Sequence, residues 1–153
     1  RDIENAIATV EQQLGRSASD REVANYLGMS LQDYQKALIE ASITTVSLDA
    51  VIDITGEGDA VPLQDALADG RSPDPVERLE AQEVRRALAE AITSLPDRER
   101  LVVTLYYYED LTLREIAVIM SVSESRVCQL HTRAILRLRG HLRAALRRNV
   151  GAA

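Results

Sequence analysis

Residues 113–130 read LREIAVIMSVSESRVCQL, and their reading decides the fold. Thr112 stands three residues before Glu115, the spacing of a capping box. In such a box the Thr hydroxyl accepts from the Glu amide while the Glu side chain reaches back to the Thr amide. The spacing predicts a short helix over 113–120, a turn at Ser121 to Ser123, and a final helix from Glu124 to about Arg147. Ala117 is small enough to let two helices cross closely, and Val127, Leu130 and Ala134 recur at a helical period that turns them inward. Short helix, tight turn and second helix, with those small and apolar positions, meet the packing needs of a DNA-reading helix-turn-helix. A plain helical bundle is the alternative.

The same pattern occurs once more, far upstream. Ser19-x-x-Glu22-Val23-Ala24 matches Thr112-x-x-Glu115-Ile116-Ala117 at an offset of 93 residues, from Arg21 to Arg114. Gly28 occupies the turn position that Ser121 holds in the second copy. Ahead of the first copy, Ile3, Ile7, Val10 and Leu14 follow a helical period that stops at Gly15; behind it, Ser30 caps a helix running to about Ala41. Residues 1–41 therefore form a three-helix unit. Its second-copy equivalent of a recognition helix, LQDYQKALIE, is poor in cations, so protein contact is as good a reading for it as DNA contact.

Residues 42–75 change character. They hold three of the four Pro and the stretches ITGEGDAVP and ADGRSPDP, without helical period, which reads as an acidic extended linker. The period returns with Val76, Leu79, Val84, Leu88 and Ile92, predicting a long helix that ends near Leu95. Pro96 opens the next, with Asp97 and Glu99 near its positive end, and that helix is expected to reach Tyr108. Residues 76–153 thus form a four-helix unit with the helix-turn-helix at 113–147. The fold class is all-α: two small helical domains joined by a linker.

Taken whole, the chain has 153 residues and a formal charge of −6, which ought to repel DNA. The segments resolve this. Residues 1–50 hold 4 Lys+Arg against 8 Asp+Glu, and residues 51–90 hold 4 against 10. Residues 91–153 reverse the balance, with 10 against 6. A basic C-terminal segment behind an acidic front is the footprint of a polyanion partner. No stretch is apolar for long enough to cross a membrane, and a single Cys, Cys128, fits a reducing cytoplasm. The chain does not open with Met and its first helical period begins almost at once, as expected of a piece of a longer protein.

On the final helix the inward set leaves Ser125, Arg126, Gln129, Thr132 and Arg133 outward, and these are the expected base readers. Arg pairs bidentately with guanine and Gln with adenine in the major groove, while Ser and Thr serve either base or phosphate. Thr112, Arg114, Ser123 and Arg137 are the expected phosphate and orientation contacts. Further along, Arg139, Arg143, Arg147 and Arg148 suit phosphate or an acidic partner, or simply solvate the helix end.

The stretch LPDRERLVVTLYYYEDLTLREIAVIMSVSESRVCQLHTRAILRLRGHL closely resembles region 4 of bacterial RNA polymerase sigma factors, and its wording is nearest the flagellar and sporulation branch (FliA/WhiG type). ENAIATVEQQLGRSASDREVANYLGMSLQDYQKAL resembles region 3 of the same branch. The resemblance implies an alternative sigma factor: region 4 on the −35 promoter element and on the flap of the polymerase β subunit, region 3 over the extended −10 DNA, and the acidic linker in the polymerase cleft. It also implies an anti-sigma partner. Where housekeeping members carry charged base readers, this chain has Glu124, Ser125 and Cys128, so their promoter sequence does not transfer. Region 2, which melts the −10 element, is not in this sequence, and this chain alone is expected not to open a promoter.

Other signals are weak. Gly56-Glu-Gly58 follows no strand and opens no helix, so it is not read as a phosphate loop. Asp53, Glu57 and Asp59 lack metal-loop spacing, and Cys128 and His131 are too few for a metal site. No nucleophile with a base and orienting group is visible, so no enzyme, cofactor or small-molecule substrate is expected. Two other readings stay open. One is a sigma-like interaction module held by an anti-sigma factor, the other an unrelated helix-turn-helix regulator.

Overall fold

The computed structural model describes residues 2–45 and 74–151. Seven α-helices span them: α1 (Asp2–Leu14), α2 (Asp20–Leu27), α3 (Leu31–Thr45), α4 (Pro75–Ser94), α5 (Asp97–Val103), α6 (Leu113–Met120) and α7 (Glu124–Gly151). The described residues contain no strand. No helix among them is long and apolar enough to cross a membrane. The expected linker carboxylates and the Gly-x-Gly stretch lie outside the described residues.

Two compact units divide the chain. Among the described residues, one combines 2–45 with 95–137, and the other combines 74–94 with 138–151. The helix-turn-helix therefore shares a compact body with the three front helices, a grouping that chain order alone does not suggest.

In the first unit the front core is Ala6, Ile7 and Val10 of α1, Ala18, Val23 and Ala24 around α2, and Tyr34 and Leu38 of α3. One residue of α7, Leu136, lies in the same core. The second cluster joins Val102 of α5, Ile116 and Ala117 of α6, and Val127 and Leu130 of α7. This is the helix-turn-helix core that the spacing predicts. In the second unit Val84, Ala87, Leu88 and Ala91 of α4 are buried, as are Leu138 and Leu142 of α7. Val76 and Leu79, expected inward by their period, are instead exposed at 60% and 62%. The apolar period of α4 thus becomes a buried face only from Val84 onward.

The internal repeat is visible in the backbone. Ser19 and Thr112 cap α2 and α6 with near-identical dihedrals, φ −77°, ψ 160° and φ −73°, ψ 158°, and both make the reciprocal capping box. Each helix has eight residues and ends in a left-handed residue, Gly28 at φ 69° and Ser121 at φ 57°. A left-handed stop costs glycine nothing, but it strains Ser121, whose Cβ crowds the following carbonyl oxygen. Helix α5 is shorter than its period suggests. Its last turn, Thr104–Tyr108, widens into a π-helical turn in which the Glu109 amide donates to the Thr104 carbonyl at 3.3 Å. Such insertions re-aim side chains, and here they bring Tyr106 and Tyr107 toward α7.

Candidate nucleic-acid interface

Helix α7, expected from the sequence to be the recognition helix, opens on Ser123, whose hydroxyl accepts from the Arg126 amide at 3.1 Å. Thr112, Arg114, Ser123 and Ser125 are exposed, as a DNA-facing edge requires. The rest of the expected reading face is covered. Thr132 is fully buried, Gln129 is 9% exposed and Arg137 4%. The Arg133 side chain is 11% exposed and that of Arg126 32%. The expectation that Gln129, Thr132 and Arg133 point to solvent is therefore corrected: helical period identifies a common face, but residues from the front helices lie on that face.

The covering contacts are ionic. Arg126 Nη1 donates to Asp20 Oδ2 at 2.9 Å and to Gln129 Oε1 at 3.2 Å. Arg133 pairs with Asp20 and with Glu99. Arg137 pairs with Glu99, donates to Glu11 Oε1 at 2.7 Å and donates to the Ala18 carbonyl at 2.8 Å. Cys128 Sγ lies 3.2 Å from Ser42 Oγ of α3. Three arginines at i, i+7 and i+11 of one helix share a face, and three guanidiniums on one face need anions.

Burial sets the protonation behaviour of this cluster. It pushes the Glu99 carboxyl up, opposed by the Arg137 charge and hydrogen bond. It also draws Arg133 down to about 10, helped by the neighbouring Arg137 charge, so Arg133 still carries its charge at neutral pH. On Arg137 burial pulls downward, but Glu99 and Glu11 outweigh it and the net direction is up. Sequence reasoning placed Asp20 only beside a cap and Glu99 only near a helix end. The arginines at i, i+7 and i+11, read from the sequence as DNA contacts, are the signal that could have pointed to buried carboxylates.

Behind the reading face, the Tyr107 hydroxyl and His131 Nε2 share a hydrogen bond of 2.9 Å. The Tyr106 ring lies 4.8 Å from Tyr107 and 4.9 Å from His131, centroid to centroid. Burial holds His131 down at about 4, so its imidazole is neutral. Tyr108, by contrast, is exposed. Among the described residues no cluster of three His, Cys, Asp or Glu could hold a metal ion.

Comparison with known proteins decides the family. The model for sigma-70 region 3 matches residues 1–79, and that for sigma-70 region 4 matches residues 91–140. The chain belongs to the sigma-70 family. It is similar to the RNA polymerase sigma factor FliA of Escherichia coli (strain K12), with 41% identity over 143 residues, 93% of this chain and 58% of that protein. It is also similar to the RNA polymerase sigma-D factor of Bacillus subtilis (strain 168), with 33% identity over 92% of this chain and 55% of that protein. Among solved structures, a co-crystal of the flagellar sigma/anti-sigma complex Sigma-28/FlgM is 32% identical over 93% of this chain and 56% of its own, with a TM-score of 0.45. This sigma-70 chain therefore spans a little over half the length of these relatives.

Proposed function

We propose that this chain carries the promoter-recognition and docking regions of an alternative sigma factor, acting in the bacterial cytoplasm with RNA polymerase core. Residues 1–41 act as the region 3 domain, 42–75 as the acidic linker entering the polymerase cleft, and 76–153 as the region 4 domain that takes the −35 element and the β flap. Ser125 and Arg126 are the base readers, and Thr112, Arg114 and Ser123 hold the phosphate backbone; Gln129, Thr132, Arg133 and Arg137, covered by residues of the same compact unit, reach DNA only where that face is uncovered. No small-molecule substrate and no catalytic residue enters this reading. The observation that carries it is the repeated, doubly capped eight-residue helix: α2 and α6 recur in the order of regions 3 and 4, and the second copy leads into an arginine-bearing helix.

The test is selection of duplexes from a random pool by the full chain together with polymerase core. The expected result is a shared −35-like motif. Arg126→Ala should cost roughly 1–3 kcal/mol on that motif and relax its preference at one base pair. Failure to enrich any motif, together with failure of core polymerase to retain the chain, would refute the reading.

A second reading has its own support. A recognition face closed by ion pairs suits a sigma-like module that an anti-sigma factor holds. Recovery of an anti-sigma protein, and no polymerase, in a pull-down from source cells would favour it.

A further inference from the structure

Helix α7 starts differently from the other helices that a Ser or Thr caps. Ser19, Ser30 and Thr112 each accept from the amide three residues on, and that residue is acidic: Glu22, Asp33 and Glu115. Glu22 and Glu115 also accept back from the amides of Ser19 and Thr112, both at 2.8 Å. At Ser123 the third residue is Arg126, and the acid stands at the first helical position instead, as Glu124. There it does not close a reciprocal box. Asp20 holds the same first position in α2, where it pairs with Arg126 and Arg133. Glu124 is exposed and has no hydrogen-bond or ion-pair partner among the described residues. The helix dipole favours an acid in this turn, but the third position serves the dipole too and adds the hydrogen bond. The dipole therefore accounts for an acid in the first turn and not for its place at the first position. Glu124 also has the wrong sign for a phosphate contact, yet it stands between Ser123 and Ser125 on the edge read above as facing DNA.

We propose that Glu124 is a specificity-determining residue whose carboxylate accepts from the exocyclic amino group of one promoter base. This rests on the reading of α7 as the promoter-contacting helix, with Ser125 and Arg126 as base readers. The first residues of such a helix are the ones that reach base edges. An ionised carboxylate only accepts hydrogen bonds. In the major groove only cytosine N4 and adenine N6 donate, whereas guanine presents N7 and O6, and thymine O4. Over guanine or thymine the carboxylate faces acceptors and stays unpaired, which adds rejection of the wrong base to selection of the right one. Arg126 carries the opposite chemistry, a donor fork that suits guanine. Repulsion between Glu124 and the phosphates, by contrast, is the same for every sequence. Glu124 thus weakens binding to all duplexes and recovers it on one base. Its effect on discrimination is opposite in sign to its effect on general affinity, which a residue serving only the helix dipole would not produce.

The experiment selects duplexes from a random pool with the full chain and polymerase core, and runs Glu124→Ala, Glu124→Lys and Arg126→Ala in parallel. The parent motif should contain one base pair whose preference Glu124→Ala flattens, while the same variant binds mixed-sequence duplex more tightly. Glu124→Lys puts a donor in place of an acceptor and should exchange that preference for guanine on the contacted strand. The amino group is then deleted at that pair, with 2-pyrimidinone for cytosine in a C·G pair or purine for adenine in an A·T pair, so the pair itself tells the two bases apart. Deletion should weaken the parent on the order of tenfold and leave Glu124→Ala nearly unchanged. A motif that Glu124→Ala leaves intact overturns the proposal, and so does an amino deletion that weakens parent and variant alike. In either case a base pair sensitive to Arg126→Ala shows that the reading of α7 stands without Glu124. If the parent enriches no motif, that reading fails and the proposal with it. Should one Glu124 substitution lower the helical circular dichroism, the other is read by the same criteria.

Discussion

Acid should loosen this protein through His131. The imidazole is 6% exposed, bonded to the Tyr107 hydroxyl, and held at about 4 by burial against a reference of 6.5. In the unfolded chain it returns to the reference value, so between these two values the unfolded state binds more protons than the native state. Native stability must then fall as pH drops through that window. The full difference of about 2.5 units corresponds to about 3.4 kcal/mol at 1.36 kcal/mol per unit, and about 2 kcal/mol of it is lost between pH 7 and pH 5. That is a large share of a stability of about 5–15 kcal/mol. Urea unfolding followed by circular dichroism at the two pH values reads the loss directly. His131→Gln keeps a polar group within reach of Tyr107 but does not titrate. It should remove most of the pH difference while exposed carboxylates continue to titrate below pH 5. If His131→Gln unfolds with the same pH dependence as the parent chain, the reasoning from burial is wrong.

Two further outcomes concern the fold. Glu99→Gln leaves two guanidiniums facing a neutral amide in a buried site, and breaking a buried pair of this kind should cost about 3–5 kcal/mol, read as a lower urea midpoint. Ser121→Gly relieves the left-handed strain at φ 57° and should raise stability by up to about 1 kcal/mol, less the entropy that glycine gains on unfolding. A lower midpoint for Ser121→Gly would show that the serine is not strained there.

Much of the architecture is legible in short windows. Both capping boxes, the left-handed stops at Gly28 and Ser121, and the helix over 113–120 are local chemistry, complete within a few residues. The inward set Val127, Leu130 and Ala134 follows from helical period, and all three are buried. Local signals fail where the backbone departs from one period. Regular helix after Pro96 stops at Val103 because the next turn widens, and nothing in TLYYY announces a π-helical turn. Likewise Val76 and Leu79 carry the right period and remain exposed, since an apolar stripe is buried only where another element covers it.

By itself, then, the sequence determined most of the helices, both capping boxes, the internal repeat and the one-sided display of arginines. Only the tertiary structure decided what those arginines touch. Arg126 meets Asp20 across 106 positions of chain, and Arg137 meets Glu11 across 126. Helical period places residues on a common face, but it carries no information about which distant segment lies on that face. That choice depends on packing the front core around Leu136 and on finding anions for guanidiniums drawn out of water, and both are settled only when the separate stretches of chain come together.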